Sequence, residues 1–142
     1  MNVFQPAHTQ LIALLKDNNL PTADIGISAT QYFLGCGELQ NPDGVIGLEI
    51  HEDYGLLRSL AVRGNCRGQG IGRSLVDALE ALAEENKLRA LYLLTTTAPD
   101  FFVRLGYQVV ARDAVAAPIT RTAEFTSLCP DDAIVMCKPL PR

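Results

Sequence analysis

Arg67-Gly68-Gln69-Gly70-Ile71-Gly72-Arg73 lies between two hydrophobic patterns of different period. Upstream, Leu56-Leu57-Arg58-Ser59-Leu60-Ala61-Val62 is short and mostly apolar and reads as a buried strand. Downstream, Ile71, Leu75, Leu79 and Leu82 recur every three or four residues, and Val76 and Ala83 widen the stripe. That spacing predicts an amphipathic helix over residues 71–86. A strand, a glycine loop and a helix start together expose successive backbone N–H groups at the positive end of a helix dipole. Such a junction is an anion site, most often for phosphate. The glycines run GxGxG rather than GxGxxG, and no Lys-Ser/Thr pair follows them, so the loop is neither a dinucleotide fingerprint nor a Walker loop.

Outward from this junction, residues 31–36, 45–50 and 56–62 read as three strands joined by turn-rich connections at 37–44 and 52–55, an antiparallel meander. Before them, residues 3–5 suit a short strand, and residues 7–18 suit a helix with Pro6 at its start. After the long helix come a buried strand at 91–95, a short helix at 98–105 stopped by Gly106, and a strand at 107–111. Residues 114–127 have little periodicity and read as a long loop with an extended or helical piece. A closing strand is expected at 133–138. The order predicts one α+β domain over residues 1–142, with a mixed sheet of six to seven strands and about four helices.

The bulk properties restrict function. The chain has 142 residues, 48% of them hydrophobic and 20% charged, which is globular. A net charge of -4 argues against a nucleic-acid surface, and no apolar run is long enough for a membrane span. Arg63, Arg67 and Arg73 nevertheless cluster at the glycine loop, where they complement phosphate. No basic region followed by an apolar run opens the chain, so a cytoplasmic setting with reduced thiols is expected. The four cysteines, Cys36, Cys66, Cys129 and Cys137, have no CxxC spacing, and no metal site is expected.

With these residues in hand, the chain resembles the GNAT superfamily of acyl-CoA-dependent N-acyltransferases. The family's R/Q-x-x-G-x-G/A motif stands here as Arg67-x-x-Gly70-x-Gly72. Its N-x-x-A-x-x-F-Y-x-x-x-G-F motif stands as Thr95-x-x-Ala98-x-x-Phe101-Phe102-x-x-x-Gly106-Tyr107. More narrowly, residues 57–62, 91–97 and 122–130 look like acetyltransferases of bacterial arsenic-resistance operons. The resemblance implies acetyl-CoA as co-substrate, a small-molecule amine as acceptor, and a splay between the strands at 56–62 and 91–95 where the pantetheine arm lies. Dimers are common in the superfamily.

The resemblance also distributes roles. Gly68, Gln69, Gly70 and Gly72, with Arg67 and Arg73, would hold the pyrophosphate. The backbone of Leu60 and Val62 would meet the pantetheine arm, one of these N–H groups polarising the thioester carbonyl. Thr95 and Phe102 would line the same site. Glu49, polar in an apolar strand and alternating with Ile46, Leu48 and Ile50, could take the amine proton, directly or through water, or pair with the ammonium; it could equally be a solvated outer-face residue. Arg58 and Arg121 could bind a substrate carboxylate or arsonate, or be surface charges.

Phe102 departs from the family, many of whose members place a tyrosine there to protonate the leaving thiolate. CoA could leave as a thiolate, a thiol of pKa about 8.5 being an acceptable leaving group. Tyr92, Thr95 or Cys129 could donate instead, or the protein could bind CoA or an arsenical as a sensor or carrier with little turnover. Thr97, ahead of Ala98-Pro99, suits a helix cap. Arsenic(III) is thiophilic, and Cys129 and Cys137 are the nearest cysteine pair, although each also suits a small buried apolar residue.

Overall fold

In a computed structural model, residues 2–26, 30–128 and 132–141 are described. The strands are β1 (Val3–Phe4), β2 (Gln31–Glu38), β3 (Asn41–His51), β4 (Tyr54–Val62), β5 (Ala90–Thr95), β6 (Gln108–Val109) and β7 (Ile134–Pro139). They form one sheet in the order β1-β2-β3-β4-β5-β7-β6. All neighbours pair antiparallel except β4 and β5, which are parallel. The helices are α1 (His8–Asp17), α2 (Ile71–Glu85), α3 (Pro99–Arg104) and α4 (Ala117–Thr120), followed by a π-helical turn at Glu124–Leu128. The α+β class, the meander and the parallel pair are those expected. The predicted loop at 114–127 carries α4 and the π-helical turn, and the turn predicted at 37–44 closes to Leu39-Gln40, with Glu38 already paired to Asn41.

The alternation of β3 distributes the core. Ile46 and Leu48 point into the main apolar cluster with Leu75, Val76 and Leu79 of α2. Val45 points the other way, against Leu11, Leu14 and Leu15 of α1. A third cluster, with Leu56, Tyr92, Val115 and Ile119, seats α4 on the sheet. Beside the main cluster, Glu80 of α2 accepts hydrogen bonds from the Tyr107 hydroxyl at 2.9 Å and from Lys138 Nζ of β7 at 3.0 Å. Those contacts pin α2 to the far edge of the sheet.

Strand β4 is irregular where it matters. Its pairing with β3 slips between Val45 and Gly47, which oppose Ala61 and Arg58 respectively. Ser59 takes up the extra residue with φ of 58°, the left-handed region that side chains rarely adopt. The bulge resets the alternation: Leu57 and Leu60 both pack on the α2 side, whereas Ala61 packs on the α1 side. On its other edge β4 pairs β5 only at Tyr54, Gly55 and Leu56, opposite Ala90, Leu91 and Tyr92. Beyond that point the strands part.

Candidate active site

The parting of β4 and β5 opens a cavity of about 450 Å³. Leu57, Arg58, Ser59 and Leu60 line one wall, and Leu93, Leu94 and Thr95 the other. Thr97, Ala98, Phe101, Phe102, Glu124 and Ala133 also border it. A second cavity, about 470 Å³, lies over the glycine loop and is lined by Val62, Cys66, Arg67, Gly68, Gly70, Ile71, Gly72 and Arg73. Leu60, Ala98 and Phe101 border both, so the two form one continuous groove.

Backbone direction explains what the groove offers. The Arg63 N–H donates to Asp43 O of the β3 side at 2.8 Å. Successive residues of a strand turn their N–H groups to opposite edges, so those of Leu60 and Val62 face the gap. Val62 O faces away from β3 as well and accepts from Arg67 Nε at 3.3 Å. Arg67 also donates to Asn18 Oδ1 at 2.7 Å, which ties the loop to the end of α1.

The loop fits an anion. Gly68 and Gly70 hold φ of 79° and 80°, and a Cβ at either would meet nothing within 4 Å, so the backbone is open to a ligand. Gly70 is the N-cap of α2 and supplies no side-chain cap, and the first turn contains no acidic residue. Its leading N–H groups therefore point into the groove with Arg73 beside them. Gln69 is exposed and does not border the groove.

Glu49 and Arg58 are not surface residues. Arg58 is 2% exposed and Glu49 4%. Arg58 Nη1 donates to Glu49 Oε2 at 2.6 Å and to Asp24 Oδ2 at 2.5 Å, and Nη2 donates to Asp24 Oδ1 at 2.8 Å. Arg58 Nε donates to Ser59 Oγ at 3.0 Å and lies 3.3 Å from Glu124 Oε2. Gly47 makes room for this cluster: a Cβ there would lie 2.6 Å from the Phe33 ring and 3.1 Å from Arg58 Cγ. Burial alone would lower the Arg58 pKa, but Asp24, Glu124 and Glu49 outweigh it and hold the guanidinium above its ordinary value. The other Glu49 oxygen meets His51 Nε2 at 2.8 Å. Glu49 does not itself border the cavity; Arg58 does. The sequence assigns no role to Asp24 or Glu124: Asp24 lies in a break between elements, and Glu124, although inside the 122–130 stretch, is marked there by no pattern of its own.

Other expectations are corrected. Arg121 is exposed, pairs with Glu52 at 3.3 Å, and belongs to a separate surface hollow with His51, away from the groove. The fork of Arg58 is committed to protein carboxylates rather than open to a substrate. Ala98, not Thr97, is the N-cap of α3, and Thr95 Oγ1 accepts from the Ala98 N–H at 3.1 Å. Tyr92 packs in the α4 cluster, with its pKa raised by burial and by Cys137, and does not border the groove. Phe102 does, its ring edge-on to Phe101 and Tyr107. Cys137 is half-buried on β7, whereas Cys129 lies outside the described residues. No metal-holding group of His, Cys, Asp or Glu occurs among the described residues, and no described helix is long and apolar enough to cross a membrane.

Against known proteins, the acetyltransferase (GNAT) domain family matches residues 29–109, which hold the meander, the bulge, the glycine loop and α3. The chain belongs to the GNAT acetyltransferase family. This GNAT chain is 35% identical over 88 residues to an uncharacterised N-acetyltransferase of Chlorobaculum tepidum, a match covering 59% of this chain and 54% of that protein. It is 29% identical over 96 residues to an amino-acid acetyltransferase of Mycobacterium tuberculosis, covering 68% and 47%. The chain thus spans about half the length of these relatives. Its fold is that of a GNAT-family acetyltransferase of Staphylococcus aureus, with TM-score 0.76, 17% identity and 99% of each chain covered. It is also that of N-acetylglutamate synthase from Neisseria gonorrhoeae, solved with coenzyme A and N-acetyl-glutamate. That match has TM-score 0.80 and 16% identity, and covers 99% of this chain and 35% of that one.

Proposed function

We propose that this protein is an N-acetyltransferase that moves an acetyl group from acetyl-CoA to the primary amine of a small molecule. The observation that carries the reading is the continuity of the groove. An uncapped helix start with open glycines at one end leads, past Leu60 and Phe101, to a strand gap with unpaired backbone donors. The coenzyme A held by the Neisseria gonorrhoeae protein is consistent with that shape.

Acetyl-CoA supplies the activated acyl group. Gly68, Gly70, Gly72 and the first turn of α2 would hold its pyrophosphate, with Arg67 and Arg73 adding positive charge. The N–H groups of Leu60 and Val62 would pair with the pantetheine arm, and that of Leu60, which borders both cavities, would donate to the thioester oxygen at the end of the arm away from the glycine loop. Glu49, held by Arg58 of the cavity wall and backed by His51, would take the amine proton through water. Phe102 has no proton to give and Tyr107 turns its hydroxyl to Glu80, so CoA would leave as thiolate or take a proton from water near Thr95. The likeness of residues 57–62, 91–97 and 122–130 to arsenic-operon acetyltransferases supports a link to arsenic resistance, testable by growth of a deletion strain on arsenicals.

The deciding experiment measures thiol release from acetyl-CoA with a panel of amines and organoarsenicals, alongside acetyl-CoA binding. Release with at least one amine is expected, together with loss of binding in Gly70→Glu, which puts a side chain and a negative charge into the cradle. Tight binding with no release for any acceptor favours a CoA- or arsenical-holding sensor, the reading that Phe102 favours. Undiminished binding by Gly70→Glu overturns the placement of the pyrophosphate.

A further inference from the structure

We infer that Asn18 couples the two ends of the groove: with coenzyme A bound, Arg67 holds Asn18 and so fixes the turn that walls the acceptor cavity. The acceptor side of this coupling rests on the role proposed above for the cavity between β4 and β5. Asn18 ends α1 and borders the cavity over the glycine loop, while its successors Asn19, Leu20 and Pro21 border the cavity between β4 and β5. One short turn thus touches both cavities, and it is stiff. Asn19 sits in the left-handed region with φ of 59°, its N–H donates to Lys16 O at 3.0 Å, and the Leu20 N–H donates to Leu15 O at 3.0 Å. Those two bonds close the helix end as a unit, and Leu20 packs against the cluster of Leu11, Leu14 and Leu15. A shift at Asn18 is therefore passed on to the three residues after it.

Arg67 is the link. A guanidinium carries five N–H donors; here Nε reaches Val62 O at 3.3 Å and one on Nη2 reaches Asn18 Oδ1 at 2.7 Å. The other three, on Nη1 and Nη2, remain for the oxygens of a pyrophosphate. Arg67 therefore holds coenzyme and Asn18 at the same time. Asn18 Nδ2 donates to Leu14 O at 3.0 Å, so its Oδ1 is presented to Arg67 in one orientation. Arg67 is exposed, and an exposed bond of this kind is weak on its own. A bound pyrophosphate immobilises the guanidinium and tightens its grip on Asn18, and by linkage the coenzyme and the turn stabilise each other.

The test reads amide exchange by NMR at Asn19 and Leu20 of the full chain, without and with coenzyme A at a concentration that calorimetry shows to be saturating for each variant. Coenzyme A should slow exchange at both amides by at least about fivefold. Asn18→Ala and Arg67→Met should each bring that ratio towards one, and the double variant should add nothing. Arg67→Met leaves the helix cap untouched, so fraying of α1 does not account for its loss. A ratio near one in the natural protein, or a ratio that survives in either variant, overturns the coupling. A natural protein that binds no coenzyme A in the calorimeter sinks the placement of the coenzyme and the coupling with it; binding without protection sinks the coupling alone. Thiol release is read separately: protection of the turn with no release for any amine sinks the transferase reading and leaves the coupling of the two cavities standing.

Discussion

Leu56 of β4 and Tyr92 of β5 are the last residues at which the two parallel strands are in register. Three residues further along β4, Ser59 bulges against β3 with φ of 58°. The parting and the bulge together turn the Leu60 and Val62 N–H groups into an open groove instead of a ladder. A strand kept paired on both edges would have no donors left for a ligand.

The bulge can be tested directly. A β-branched residue is a poor occupant of the left-handed region, so Ser59→Val should cost roughly 2 kcal/mol of stability and weaken CoA binding. Ser59→Asn tolerates the same backbone and should keep both. Urea unfolding and calorimetry on the two variants read the difference; equal behaviour means that the conformation at Ser59 does not govern the groove.

Arg58 holds three carboxylates that would otherwise face one another. Arg58→Met should lose about 3–5 kcal/mol, the usual cost of leaving buried charge uncompensated. Arg58→Lys, which keeps the positive charge but not the planar fork, should lose less. Denaturant titrations at neutral pH check both; an Arg58→Met variant as stable as the parent would show that the cluster contributes nothing to folding.

Gly47 is where the sheet face yields to the Phe33 ring and the Arg58 stem. Gly47→Ala places a Cβ 2.6 Å from Phe33 Cε1, and overpacking of this kind costs about 1–3 kcal/mol. Phe33→Leu in the same chain should recover part of the loss. A double-mutant cycle measures the coupling, and purely additive effects would show that the two residues do not compete for that space.

Tyr107 sets an alkaline limit. Burial first, then Glu80, raise its pKa above the ordinary 10.0, so the folded state keeps a proton that the unfolded state gives up. Stability from this group is therefore complete below pH 10 and declines as pH rises beyond it. Cys36 and Cys137, raised from 9.0 chiefly by burial, act in the same direction from a lower pH. Tyr107→Phe should be less stable than the parent at neutral pH yet lose less between pH 9 and 11, as seen in melting temperatures across that range.

Much of the site's donor end was legible in the chain itself. The change of period at Arg67–Arg73, the glycine spacing and the apolar runs on either side are local features, and local backbone geometry follows from local residue types. Glu49 stood out because a carboxylate interrupts an apolar alternation, yet the alternation could not say what faced it. Thr97 was the natural cap by position, but Thr95 reaches the Ala98 N–H instead because the chain bends between them.

The sequence by itself therefore determined the strand–glycine loop–helix junction, the antiparallel meander before it and the GNAT-like order of elements, since hydrophobic period and turn residues act over a few positions. Only the tertiary structure decided where the charges meet. Asp24, Glu49, Arg58 and Glu124 come from four separated stretches, and nothing in their spacing forecasts one buried cluster. Partner choice among buried charges depends on which faces fold together and on the need to compensate a charge taken from water. That long-range constraint moved Arg58 from a candidate substrate ligand to the hub of the protein's own carboxylates.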